Sequence, residues 1–190
     1  LTAAQQRNIP TATAFLAARE QTLLAQLFPH DPPVFFGGCD GAERRVAAYL
    51  PDYLEESWLL SDDSPVAAVR ATFFEEDTLT HRDFLGALMG AGIKREAVGD
   101  IYVTPGRCDF VVLRELRDFF LQNLPSAGRT KLTLAPLDLA ELSAPAAAVK
   151  TRHDTVSSLR FDSVLASAFN LARGKAAAII ESGRAELDHT

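Results

Sequence analysis

No run of 18 apolar residues occurs in the sequence, and no basic N-terminal region leads into an apolar one, so neither a membrane span nor a secretory signal is readable. Cysteine is nearly absent. Cys39 and Cys108 lie far apart without paired spacing, which argues against a disulfide framework and a zinc site and fits a reducing cytosol. No Ser-His-Asp pattern and no His/Cys ligand spacing stands out, so no catalytic residue, metal ligand or cofactor is assigned. Basic charge is also short: 19 Lys and Arg against 25 Asp and Glu leave −6. That balance runs against free nucleic-acid binding, which draws its affinity from counterion release by basic surfaces.

What is present is ordinary globular material, 190 residues of 47% hydrophobic content, enough for one large or two small domains. The charge is unevenly shared. Residues 150–190 carry Lys150, Arg152, Arg160, Arg173, Lys175 and Arg184 against Asp154, Asp162, Glu181, Glu186 and Asp188, a balance of +1 that leaves −7 for the remainder. Within 157–187, Phe161, Val164, Leu165, Ala168 and Phe169 recur as one buried helix face does. A second helix is predicted over 173–182, burying Ala176, Ile179 and Ile180 and ended by Gly183 in the left-handed conformation. The cations sit at the unfavourable ends. Arg160 precedes the first helix and Arg173 and Lys175 occupy the first turn of the second, opposing the macrodipole by a few tenths of a kcal/mol. Exposed backbone N–H groups combined with Arg and Lys do, however, make a site for phosphate oxygens. The pattern points to binding of a nucleic-acid backbone.

Upstream, 10–28 reads as an amphipathic helix with Phe15, Leu16, Leu23, Leu24 and Leu27 toward a core, stopped by Pro32-Pro33. Strands at 34–36 and 45–50 follow, joined by Gly37-Gly38-Cys39-Asp40-Gly41. This loop lacks the Lys-Ser/Thr ending of a nucleotide-binding loop and reads as a turn. Arg44 and Arg45 beside it face either a phosphate or solvent. A strand at 66–74, a capping box from Thr80 to Asp83, a helix burying Phe84, Leu85, Leu88 and Met89, a hairpin of 101–104 and 108–113 over Pro105-Gly106, a helix at 115–124 and a strand at 131–134 give the order βαββαβ. That is the ferredoxin-like split unit shared with RNA-recognition domains. Phe110, alone among the aromatic positions such domains use for stacking, reads as core. His81 and Arg82 at a helix start, and Lys94 and Arg95 after its end, are secondary phosphate candidates together with Arg44. The alanine-rich segment 137–154 reads as a linker. The expected class is therefore α+β, divided into an N-terminal helix and β-hairpin (1–62), a ferredoxin/RRM-like domain (63–136), the linker (137–154) and a helix-turn-helix RNA-binding module (155–190).

Ser158-Leu159-Arg160-Phe161-Asp162, Asn170-Leu171-Ala172-Arg173-Gly174-Lys175-Ala176 and Ile180-Glu181-Ser182-Gly183 resemble the alpha-L RNA-binding module named after ribosomal protein S-four. Phe36-Gly37-Gly38, Gly41-Ala42-Glu43-Arg44, the segment from Leu79 through Arg95 and Gly99-Asp100-Ile101 together resemble the YlmH family of bacterial RNA-binding proteins over about 34–187. The resemblance implies a non-enzymatic cytoplasmic protein of bacteria that binds the large ribosomal subunit, its rRNA and peptidyl-tRNA, in ribosome-associated quality control. It centres RNA contacts on Arg160 and Arg173, and Asp162, Lys175 and Arg184 join them as candidate RNA-binding residues. Ala172 and Gly174 stand where the family has hydroxyl residues, and the family's module continues with further strands, so a partial copy is expected. The alternatives are an RNA-modifying enzyme with an appended module, as in pseudouridine synthases, and a cell-division interaction scaffold. Nothing in the sequence sets an oligomeric state.

Overall fold

A computed structural model describes residues 7–145, 153–183 and 185. The chain forms two compact units, Leu1–Pro145 and Ala146–Thr190, and its class is α+β. In the first unit, β4 (Val66–Thr72), β5 (Val98–Thr104), β6 (Arg107–Leu113) and β9 (Thr133–Leu137) make an antiparallel sheet in the order β5-β6-β4-β9. α2 (His81–Gly90) carries the chain from β4 to β5, and α3 (Arg117–Asn123) carries it from β6 toward β9. Strand alternation then divides the sheet into two faces. Val69, Ala71, Phe110 and Val112 face the helices and pack on Phe84, Leu88, Phe120 and Leu124. Phe110 is fully buried, edge-on to Phe120 with centroids 6.1 Å apart, which is the core role read from the sequence.

Val66, Ala68, Val111 and Leu137 point to the opposite face and are covered by Phe15, Val46, Leu139 and Leu142. The N-terminal elements supply this cover. β1 (Thr11–Ala12), β2 (Val34–Phe36) and β3 (Val46–Tyr49) form a small antiparallel sheet in the order β1-β3-β2.

Here the structure corrects the expected helix at 10–28. Only α1 (Ala18–Leu27) is helical, it buries no residue, and Leu23 and Leu27 are exposed. The preceding residues are extended because Thr11 and Ala12 pair with Tyr49 and Ala48 and the Phe15 N–H donates to Glu96 O at 2.7 Å. Phe15 therefore enters the core from a strand-like segment, a tertiary pairing that outweighs its helical spacing to Leu16 and Leu23. Gly99 makes room for it. A Cβ on Gly99 would lie 2.7 Å from the Phe15 ring.

α2 starts much as the sequence indicates. The Asp83 carboxylate accepts from the Thr80 N–H at 2.9 Å and from the Thr80 hydroxyl at 2.6 Å, so the hydroxyl donates to the carboxylate. Gly92, at φ +81°, takes the left-handed position past the helix end. The last strand lies at Thr133–Leu137, later than expected, because β7 (Ser126–Ala127) and β8 (Thr130–Lys131) form a short hairpin first. The chain also stays packed beyond 137. Leu137, Leu139 and Leu142 are buried, and Asp138 caps a turn by accepting from the Ala140 N–H at 2.9 Å. Of the expected linker, 146–152 lie outside the described residues.

The second unit contains α4 (Phe161–Ala168) and α5 (Arg173–Glu181). Between them Asn170 adopts φ +52° and the Leu171 N–H donates to Ala166 O at 2.8 Å, closing the turn. Ala176 is fully buried and Gly183 (φ +67°) follows α5 as the sequence indicates. The expected apolar face of α4 is less buried than its periodicity implies, with Phe169 68% exposed.

Candidate nucleic-acid interface

The local sequence explains why three separated charges meet in the second unit. Arg160 is the residue before α4, Asp162 lies in the first turn of α4, and Arg173 opens α5. The tight 169–172 turn folds the start of α5 back toward the start of α4. Asp162 Oδ1 accepts from Arg160 Nε at 3.1 Å, and Oδ2 accepts from Arg173 Nε at 2.8 Å. One carboxylate thus orients two guanidiniums. The Asp162 side chain is 15% exposed, whereas those of Arg160 and Arg173 are 72% and 55% exposed.

The Arg173 hydrogen bond, joined by that of Arg160, holds the Asp162 carboxyl below the usual carboxylate range. The carboxylate is therefore charged at neutral pH. Each arginine commits Nε to this contact, leaving terminal N–H groups for other acceptors. Lys175, also in the first turn of α5, is exposed and makes no ion pair among the described residues. The result is a net-positive, pre-oriented pair of planar donors beside two helix starts, suited to phosphate oxygens. Arg184 lies outside the described residues.

The five secondary candidates do not form a common site. His81 and Arg82 are exposed at the start of α2, while Lys94 and Arg95 follow its other end, about 15 Å away for ten helical residues. Lys94 is exposed and 3.9 Å from Glu96. Arg44 and Arg95 have structural work. Arg44 Nε donates to Val98 O at 3.1 Å and a terminal nitrogen donates to Phe15 O at 3.1 Å, while Arg95 donates to Val98 O and to Gly99 O at 3.1 Å. Burial, with the nearby Arg44 charge, pushes the Arg95 guanidinium below its usual range. Asp100 completes this lock by accepting from the backbone N–H groups of Glu43 at 2.6 Å and Arg44 at 3.1 Å. The glycine-containing loop is therefore a joint between the small sheet and β5, in keeping with its reading as a turn.

A second arginine-carboxylate group went unnoticed in the sequence. Arg70 Nε and a terminal nitrogen donate to Asp109 Oδ1 and Oδ2 at 2.8 and 2.9 Å, and Arg107 Nε stands 3.6 Å from Oδ2. The available signal was alternation. Charged residues at 70, 107 and 109 interleave with apolar ones, placing them on the face opposite the helices.

Residues 72–141 match the family model described as "Putative RNA-binding domain in YlmH". The chain is 36% identical over 176 residues to ribosome-associated protein quality control protein P2 of Bacillus subtilis (strain 168), an alignment covering 90% of this chain and 66% of that relative. In fold it is similar to the cell division protein ylmH from Streptococcus pneumoniae, with a TM-score of 0.58 at 21% identity, covering 74% of this chain and 86% of the other.

Proposed function

The chain belongs to the YlmH family, and on that premise we propose that it is a non-enzymatic RNA-binding protein of the large ribosomal subunit, contacting rRNA and peptidyl-tRNA in ribosome-associated quality control. The observation that carries the proposal is the Arg160–Asp162–Arg173 fork, which supplies oriented phosphate donors and needs no reacting group. The name of the Bacillus subtilis relative supports the ribosomal setting, and the family model supports RNA as the ligand. A bacterial cytosolic location follows from that partner. No helix among the described residues is long and apolar enough to cross a membrane.

The fold reading is part of the proposal. The order β5-β6-β4-β9, in which each helical crossover skips one strand, supports a ferredoxin-like split unit. The α4–turn–α5 pair supports the helix-turn-helix module.

Co-sedimentation of the full chain with purified large subunits tests the function. If Arg160, Arg173 and Lys175 each neutralise one phosphate, affinity falls about 20- to 40-fold between 50 and 200 mM salt. Arg160→Ala or Arg173→Ala weakens retention while both units stay folded. Wild-type sedimentation of both variants would remove the fork from the function.

A further inference from the structure

We propose that the uncovered part of the four-stranded sheet, centred on Arg107, is a second contact for an RNA backbone. This inference rests on the RNA-binding reading above and extends it to the first unit. The sheet face opposite α2 and α3 is covered only in part. Phe15, Val46, Leu139 and Leu142 pack over the Ala68–Val111–Leu137 level, Tyr102 and Cys39 join them at the Asp109 level, and among the described residues no buried cluster covers the Thr72–Arg107 level nearer the β5–β6 turn. There Thr133, Thr72, Arg107 and Thr104 lie in register across all four strands. At about 4.8 Å between strands this row spans roughly 14 Å.

The two arginines of this face are not equivalent. Arg70 holds Asp109 side-on with two nitrogens and is 27% exposed, and Glu141 also acts on it through space. Asp109 is only 6% exposed, so Arg70 satisfies a nearly buried carboxylate. Arg107 approaches the same carboxylate at 3.6 Å, is 47% exposed, and its guanidinium makes no hydrogen bond among the described residues. It is oriented by charge while all its donors remain available. As in the second unit, a shielded carboxylate lies beside an exposed guanidinium, here that of Arg107 alone.

The chemistry of the face selects the part of RNA it can hold. The four strands themselves offer no free aromatic ring for stacking, because Phe110 points into the core and Tyr102 is engaged with Cys39 and Asp100. Threonine hydroxyls and an arginine suit phosphate and ribose oxygens, giving a contact indifferent to base sequence. Thr104, Arg107, Asp109 and Thr133 all fall within the segment that matches the RNA-binding family model.

The test uses the full chain with two probes, purified large subunits and protein-free large-subunit rRNA. Arg107→Gln leaves the Arg70–Asp109 pair intact. It is expected to weaken rRNA binding about tenfold, equivalent to one charged hydrogen-bonding contact. It also reduces the log–log salt slope by about 0.7–0.9, with an unchanged unfolding midpoint. Thr72→Glu, which sets a carboxylate opposite Arg107, has the same effect. If Arg107→Gln and Thr72→Glu bind like wild type while Arg173→Ala is weakened, this inference is overturned and the proposed function stands. Loss on intact subunits but not on protein-free rRNA assigns the face to a ribosomal protein and overturns it as well. A loss that tracks a lowered unfolding midpoint does the same, and a wild-type chain that binds neither probe overturns both readings.

Discussion

Asp162→Asn separates charge from orientation as the source of affinity, because the two give effects of opposite sign. Removing a carboxylate makes the site more positive. A unit charge in water at contact distance changes an interaction by about fivefold at most, and salt screening with the greater distance to a phosphate beyond the guanidiniums lowers this to roughly two- to threefold. If net charge governed binding, the variant would bind that much more tightly. The carboxylate, however, anchors Arg160 at 3.1 Å and Arg173 at 2.8 Å. Without it both long side chains must be immobilised on binding, a penalty of about 2- to 12-fold for each. The combined penalty exceeds the charge gain, so the expected result is a net weakening of about 1.3- to 70-fold. The assay is equilibrium binding of the full chain to protein-free large-subunit rRNA, with circular dichroism to check that α4 and α5 remain helical. Binding as tight as wild type, or tighter, would refute the argument that the fork works by pre-orientation.

Gly99→Ala drives a methyl group to 2.7 Å from the Phe15 ring, an overpacking that costs about 1–3 kcal/mol and lowers the unfolding midpoint by about 2–10 °C. Phe15→Leu in the same chain should recover part of the loss, and strict additivity of the two changes would show that they do not share this contact. Acid sensitivity follows from Asp162, held low by Arg173 and Arg160, and Asp83, held low by the Thr80 hydroxyl and N–H. A carboxylate whose folded pKa is depressed contributes stability that is fully present above its ordinary value near 3.8 and is lost as pH falls through the lower folded value. Thermal unfolding of wild type should therefore show no loss from these two groups between pH 8 and about 5. The Asp83→Asn/Asp162→Asn variant should lose less stability than wild type below pH 4, and an identical acid profile for the two proteins would contradict this assignment.

Elements governed by local periodicity and punctuation could be read directly. Thr80 and Asp83 mark the start of α2, Pro105-Gly106 marks the hairpin, and Gly183 marks the end of α5. The two arginines of the fork were equally visible as misplaced charges, since a cation at a helix start is conspicuous without knowing its partner. Phe15 was not readable in the same way. Its spacing to Leu16 and Leu23 fits a helix, and only pairing of 11–12 with β3, together with the space left by Gly99, makes its segment extended. Arg44 and Arg95 were similarly ambiguous, because a guanidinium bound to carbonyl oxygens and one facing a phosphate have the same sequence signature.

The sequence by itself determined most of the element types, the family and the misplaced cations proposed as a phosphate site, because helix caps, strand alternation and clustered motifs are encoded within a few residues. Tertiary structure decided which charges are available for a ligand. It spends Arg44 and Arg95 on holding the small sheet to β5, keeps Arg160 and Arg173 exposed around one carboxylate, and brings Arg70, Arg107 and Asp109 together on one face. These outcomes depend on strand register and on hydrogen bonds between residues distant in sequence, which no local pattern records.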